Sequence, residues 1–566
     1  MTDMRRTLLW VVFTMSLVLL YDAWNRHNGQ PTLFGMAAPP PAASAAAAGR
    51  APGGVPTAAT AAGGSAAAAP AAPAAAVPAG EIVEVATDRV KASFDSIGGT
   101  LVRLELLDYR DNADRSRNVV LFERDGKRLY LAQTGLISTQ PGLALPTHLT
   151  PMSVAPGPRT LADGQDALAL RFEGRTEAGV RLVKTYTFTR GSYVVGVRHE
   201  VFNEGAAAVA PQLYLQLARD GQPPEGESRF YFTFTGPAVY TEQGKFQKIK
   251  FEDIDKGKAD FVKHADDGWV AMVQHYFASA WLLASPAARD FRVAKVADNQ
   301  YTIAMVTPIG ELAPGASSLH ESKLYAGPQE EYKLAALAPG LDLVKDYGWF
   351  TVLSKPLFWL LDQLHKGIGN WGWAIVALVV LLKAAFYWLN ASAYRSMAKM
   401  KAVNPRVMEL RERYKDEPQK MQQEMMRIYR EEKVNPLGGC LPIVVQMPFF
   451  IALYWVLLST VEMRQASWFY ISDLAQPDKL FGVLPLLHMP LGPLPLLMTA
   501  SSLFQVWLNP TPPDPMQAKM MWLMPLAFSF MFFFFPAGLV LYWLTNNILS
   551  IAQQWFINKK LGVTGK

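Results

Sequence analysis

Residues 371–390 read WGWAIVALVVLLKAAFYWLN, an apolar run of membrane-spanning length whose one charged residue is Lys383. A span needs about 20 apolar residues, and an ammonium at its centre costs roughly 3 kcal/mol on insertion scales and more in simulations. Two readings of Lys383 fit. It faces a wet cavity, or its stem snorkels toward Asn390, which lies about 10 Å further along a helix. Tyr387, Asn390 and Tyr394 follow Lys383 at i+4, i+7 and i+11, so one face of this helix is polar from the lysine onward.

Four further apolar segments follow, at about residues 440–460, 494–508, 519–535 and 538–556. Their polar residues are unevenly placed. Gln446 stands near the start of its segment, Thr499, Ser502 and Gln505 lie late in theirs, and Asn546, Ser550 and Gln553 lie late in the last. Polar groups in lipid need partners or water, so these stripes are expected to converge on one hydrated pocket, open to the cytoplasm and the inner leaflet. A through-pore would need polar lining along its whole length. A small-solute secondary transporter remains the alternative, though the spans show no inverted repeat and no second charge to couple an ion. A non-inserting assembly chaperone is a third reading.

Loop charge sets the expected orientation. Residues 391–438 hold eleven lysines and arginines, whereas residues 461–483 hold two, Arg464 and Lys479. The basic loop is therefore expected in the cytoplasm. Within it Met400, Val403, Val407, Leu410 and Tyr414 step by three and four, Pro418 interrupts, and Met421, Met425 and Ile428 resume the step. This pattern predicts a cytoplasmic helical hairpin at 391–438, either a solvated connector or a Met-containing face for partners.

Toward the N-terminus, residues 341–366 are amphipathic and are expected to lie along the membrane surface. Residues 81–340 alternate with a period of two, as in VRLVKTYTFTR at 180–190, which predicts a large antiparallel β-sandwich. That region carries no nucleotide loop, no metal-ligand spacing and no nucleophile elbow, and its polar residues read as surface. Residues 23–80 are rich in Ala and Pro and read as a tether. Residues 1–22 hold Arg5 and Arg6 before an apolar run, read as an uncleaved anchor in preference to a signal peptide. The expected architecture is a multi-domain membrane protein, with an all-β domain at 81–340 outside the cytoplasm. A five-helix core at 367–560 and the N-terminal anchor make six spans, with both termini cytoplasmic. The single cysteine, Cys440, excludes a disulfide framework, and its LGGC context at 437–440 reads as a helix entry.

The run QEMMRIYREEKVNPLGGCLPIVVQMPFF at 423–450, Met397-Ala398-Lys399-Met400, Asp514-Pro515-Met516-Gln517 and FPAGLVLYWLTNN at 535–547 together resemble the YidC membrane protein insertase family. The resemblance covers about residues 341–560. Residues 81–340 are more loosely similar to the periplasmic β-supersandwich of Gram-negative members. The resemblance implies insertion and folding of inner-membrane proteins, alone or with the Sec translocon. It also implies nascent membrane proteins and membrane lipids as partners, and a ribosome or signal-recognition component recruited through the hairpin. It implies no catalysis, cofactor, metal or sequence-specific nucleic acid. The intramembrane charge is usually arginine in that family, and Lys383 takes its place without the planar bidentate fork. Tyr542-Trp543 stands where two tyrosines are frequent. The family's substrate-contacting third and fifth spans correspond here to Gln446, Met447 and Phe450, and to Met524 and Phe528.

Overall fold

The computed structural model describes residues 80–560 except 113, 141, 225–232, 284–285, 415–416, 433–440, 486–488 and 510–514. The anchor and nearly all of the tether lie outside the described residues. Residues 82–328 form two nine-stranded antiparallel sheets packed face to face. Alternation in the sequence becomes alternation in burial. Ala167–Arg175 turns every second residue inward, and pairs in register with Val180–Thr189, as in Leu170 opposite Tyr186. Phe94, Phe172 and Tyr186 meet between the sheets, with the Phe94 and Tyr186 ring centroids 4.6 Å apart. Burying each such ring contributes roughly 2–3 kcal/mol.

The β domain also encloses polar groups that the sequence reading left on the surface. Lys184 is fully buried and donates to the carbonyl oxygens of Gly98 and Thr134, both at 2.6 Å. Burial without a carboxylate partner lowers its pKa to about 7. Gly98 has φ +71, and a Cβ there would lie 2.2 Å from the His148 carbonyl oxygen, so only glycine offers its carbonyl to Lys184 this way. His148 pairs through Nδ1 with the Tyr214 hydroxyl at 2.6 Å, and His199 through Nε2 with the Thr134 hydroxyl at 3.0 Å. Burial holds His148 down to about 3 and His199 well below its ordinary value.

After the short helix α1 (Glu331–Leu337), residues 341–350 form two single turns, and continuous helix begins only at α2 (Thr351–Ile368). The expected single amphipathic helix at 341–366 is thus divided. Gly340 (φ +69) and Gly348 (φ +62) adopt backbone that breaks it, and Leu341 and Val344 join the β-domain core. The helical region continues with α3 (Trp371–Ala385), α4 (Tyr387–Arg413), α5 (Pro418–Glu431), α6 (Leu441–Ser459), α7 (Pro493–Leu508), α8 (Pro515–Phe532) and α9 (Ala537–Lys560). Their bounds follow the apolar segments closely, but α3 and α4 meet at a 68° bend. Among the described residues no single helix is long and apolar enough to cross a membrane by itself. The bent pair passes jointly, and Val445–Ser459, Pro493–Leu508 and Ala518–Phe532 are shorter apolar helices. α4 and α5 fold back on each other, with Val403 and Val407 packed against Met425 and Ile428 and Arg406 paired with Glu432 at 2.6 Å.

The β domain and the helices meet at a polar junction. Lys345, with no exposed side-chain surface, lies 3.5 Å from Glu462 and 4.0 Å from Glu331, with its ammonium 3.6 Å over the Phe358 ring. His275 bonds the Leu458 carbonyl oxygen at 2.9 Å, Arg115 reaches Asp473 at 3.4 Å, and Val461 and Ala475 enter the β-domain core.

The buried histidines set an acid limit on stability. Their folded pKa values lie below the unfolded value of about 6.5, so as pH falls below that value the unfolded chain binds protons that the fold refuses. Each such histidine then costs about 1.4 kcal/mol per pH unit until it too is protonated. The thermal midpoint of the β domain in the full chain should fall between pH 7 and pH 5, and His148→Gln should flatten that slope.

Candidate functional site

Lys383 sits in the last turn of α3, and the chain turns at Phe386, whose ring meets Phe449 edge-on at 5.1 Å. The lysine Nζ donates to Ser550 Oγ at 2.7 Å, and that hydroxyl donates to the Asn546 carbonyl oxygen at 2.8 Å. Gln553 Nε2 reaches the Tyr387 carbonyl oxygen at 3.3 Å. The Tyr387 ring is exposed. Asn390 is buried, and its side-chain nitrogen has no partner among the described residues. One face of α9 therefore receives the polar stripe that begins at Lys383. No carboxylate answers the ammonium among the described residues, so a hydroxyl and the helix carbonyl behind it carry the interaction.

Deeper along α9, Trp543 stacks on Phe450 of α6 (5.6 Å, 11°) and meets Phe532 and Phe535. Tyr542 lies 5.9 Å from Phe450. Both α9 aromatics are buried, and Trp543 Nε1 has no partner among the described residues. Met447, one turn before Phe450, is exposed, and Gln446 is half-buried.

The α7 residues lie elsewhere. Thr499 turns its hydroxyl onto the Pro495 carbonyl oxygen of its own helix at 2.8 Å. Ser502 and Gln505 line a cavity of about 560 Å³ between α7 and α8, with Met520, Met524 and Phe528 on its other side. Lys383 does not line that cavity. The expected residues thus form two groups, the lysine with α9 and the methionine-lined cavity between α7 and α8, in place of one pocket. The contacts that bind α7 to α9 use residues the sequence reading passed over. Asn547 donates to Ser501 Oγ at 2.8 Å, and Gln554 donates to Asn509 Oδ1 at 3.0 Å. Ser501 and Asn547 each neighbour a residue that was singled out, and one residue is about 100° around a helix. The doubled asparagine at 546–547 was the available signal, since successive helix positions face different neighbours.

The outside of this block is apolar. Val380, Trp388, Leu497, Trp507, Leu523, Ile548 and Phe556 are all large, apolar and exposed. A surface of this kind marks contact with a membrane or with other protein. Fold and site together define an integral membrane protein that pairs a β-sandwich domain with a helical block whose apolar helix α3 carries a partly buried lysine. Residues 82–360 match the family described as "YidC periplasmic domain" and residues 363–563 that described as "60Kd inner membrane protein". A membrane protein insertase YidC of Janthinobacterium sp. (strain Marseille) is 52% identical over 567 residues, covering 99% of this chain and 100% of that protein. One from Cupriavidus necator is 56% identical, covering 99% and 98%. A crystal structure of an active YidC insertase with its first transmembrane domain resolved aligns at 18% identity with a TM-score of 0.36, covering 84% of this chain and 94% of that one. The chain belongs to the YidC membrane protein insertase family. It is a membrane protein insertase of the bacterial inner membrane.

The α7–α9 contact is measurable. Interhelical hydrogen bonds in membrane proteins average about 0.6 kcal/mol, so a double-mutant cycle of Asn547→Ala and Ser501→Ala should return a coupling near that value in micelle unfolding.

Proposed function

We propose that this insertase holds the polar flank of a nascent membrane protein beside Lys383, while the client's apolar segment passes into lipid along the helices. The Lys383–Ser550 bond carries the reading. An ammonium bonded, among the described residues, only to a hydroxyl keeps donor capacity for a client carboxylate or backbone carbonyl, and it lies at the mouth of a bend where α4 leaves the block. Tyr387, Asn390 and Asn546 extend that polar face. Gln446, Met447 and Phe450 on α6, with Tyr542 and Trp543 behind them, and Met524 and Phe528 on α8 form the apolar path, and Thr499, Ser502 and Gln505 its polar edge. Admitting a polar flank partway shortens the hydrocarbon it must cross, where a single charge costs roughly 3 kcal/mol. The step is one of binding and release, with no covalent chemistry.

The topology we propose has six spans: the anchor at 1–22, then α3, α6, α7, α8 and α9. The tether at 23–80 and the β domain at 81–340 are periplasmic, α2 lies at the outer interface, and both termini are cytoplasmic. Loop charge supports this orientation. The α4–α5 hairpin then stands in the cytoplasm, where its basic surface meets a ribosome or a signal-recognition component, and the block works alone or beside the Sec translocon.

Depletion–complementation tests the role of Lys383. Lys383→Arg should support growth and client insertion, and Lys383→Ala and Lys383→Glu should lose most of both. Equal growth with alanine and arginine would remove the charge from the mechanism. Photo-crosslinkers at Met447 should capture nascent chains, which a small-solute transporter would not.

A further inference from the structure

The loop from α6 to α7 carries an apolar face on its outside. Phe469, Tyr470, Leu480, Phe481, Val483 and Leu484 are all exposed there, Phe469 at 72% and Phe481 at 62%. Charge is withdrawn from the same surface. Residues 465–492 hold two aspartates, one lysine and no glutamate or arginine. Both aspartates are buried. Asp473 accepts the Gln465 and Ala475 backbone N–H groups at 2.9 Å, and Asp478 accepts the Leu494 N–H at 2.9 Å and the Tyr470 hydroxyl at 2.8 Å. Of the three charged residues, Lys479 alone is exposed.

This face is held from both sides. Gly492 comes so close to Asp478 that a Cβ would overlap the carboxylate. The Phe481 N–H donates to the Leu491 carbonyl oxygen and the Leu491 N–H to that of Gly482, both at 2.9 Å, which fixes the segment against the start of α7. Trp468 lies equally close on Gly372 of α3, and Trp373 meets Trp468 and Phe469 edge-on at 5.7 and 5.4 Å. The aromatic face thus runs on into the exposed apolar sides of α3, at Trp373, and of α7, at Leu496 and Leu497. α7 itself is short. Its 16 residues rise about 24 Å, against a hydrocarbon core of about 30 Å. Its far end is polar, at Gln505 and Asn509, so the missing length falls at the end where this loop sits.

We propose that this loop is seated in the outer leaflet, where phospholipid chains pack on Phe469, Leu480 and Phe481, a headgroup phosphate meets Lys479, and the apolar length of α7 is completed. The proposal rests on the periplasmic placement of the loop that follows from the topology put forward above. A docking site for another protein would carry a polar, charged rim. Here the rim offers one ammonium and hides its two acids, and aromatic rings beside a lysine are the composition of a membrane interface. A seated loop also spares the bilayer from thinning to the length of α7.

The test uses the full chain with Cys440→Ser, in vesicles of phosphatidylethanolamine and phosphatidylglycerol, carrying one fluorophore-labelled thiol at a time from Phe481→Cys, Leu497→Cys or Arg171→Cys. The quenchers are a lipid with its nitroxide near the headgroup, a lipid with its nitroxide at the chain end, and aqueous iodide. Interfacial side chains reach about 5–10 Å into a leaflet, so position 481 should be quenched at least about twofold more by the shallow nitroxide than by the deep one, and be protected from iodide. Position 497 should be quenched by both nitroxides, and position 171 by iodide alone. Iodide quenching at 481 equal to that at 171 overturns the proposal, and leaves α7 as a span if 497 still meets lipid. Protection at 481 from iodide and from both nitroxides, the sign of a protein cover such as a second copy, overturns it too. Absence of lipid quenching at 497 overturns the span and the seat with it. Position 171 reads the topology separately: an impermeant maleimide should label it in spheroplasts, and failure there overturns the periplasmic placement and the outer-leaflet seat together.

Discussion

A lysine placed in an apolar helix has to be met from within the protein, and the arrangement of the helical block follows from how Lys383 is met. Its partner is Ser550 on the last helix, and the serine hydroxyl is in turn fixed by the Asn546 carbonyl oxygen. That ties α3 to α9 at the point where α3 ends. α9 is also the helix that α7 grips through Asn547 and Gln554, and that α6 grips through Phe450 and Trp543. One polar contact is thereby built into a hub, with apolar stacking on one side and amide bonds on another. A cation satisfied by a neutral hydroxyl stays available in a way that one locked to a carboxylate would not.

The same economy of charge recurs at the junction, with the opposite result. Lys345 is enclosed by Glu462, Glu331 and the Phe358 ring. Burial draws the lysine below its ordinary value and pushes Glu462 up, each opposed by the charge of the other. Removing either partner would leave a buried charge uncompensated, typically at 3–5 kcal/mol. Lys345 therefore fastens the β domain to the C-terminal end of α6, whereas Lys383 meets a hydroxyl and no carboxylate among the described residues.

Local pattern carried much of this architecture. The two-residue alternation of 180–190 is the strand Val180–Thr189, and the three-and-four stepping of Val403 and Val407 is the seam against Met425 and Ile428. Four of the apolar segments became α6, α7, α8 and α9 within a few residues. What escaped was non-local or off by one helical position. The bend at Phe386 has no proline or glycine beside it, so an unbroken helix to Asn390 was the natural reading. Lys184 and His199 sit in alternating strands and His148 in a turn, and the pattern does not say which polar residue finds a buried carbonyl or hydroxyl. The pairings Ser501–Asn547 and Lys345–Glu462 join residues 46 and 117 positions apart, and no periodicity reports such a distance.

The central claim is that Lys383 occupies water reached from the cytoplasm while the same helix a turn earlier faces lipid. Cys440 is the only native cysteine, so a Cys440→Ser background allows one thiol at a time to be placed. Thiols react as thiolates, which form in water and not in hydrocarbon. With a charged, membrane-impermeant maleimide, Lys383→Cys should label in inverted vesicles and stay unlabelled from the periplasmic side, and Val380→Cys should label from neither. Labelling of position 383 from the periplasmic side, or its silence from the cytoplasmic side with the protein folded, would contradict the account.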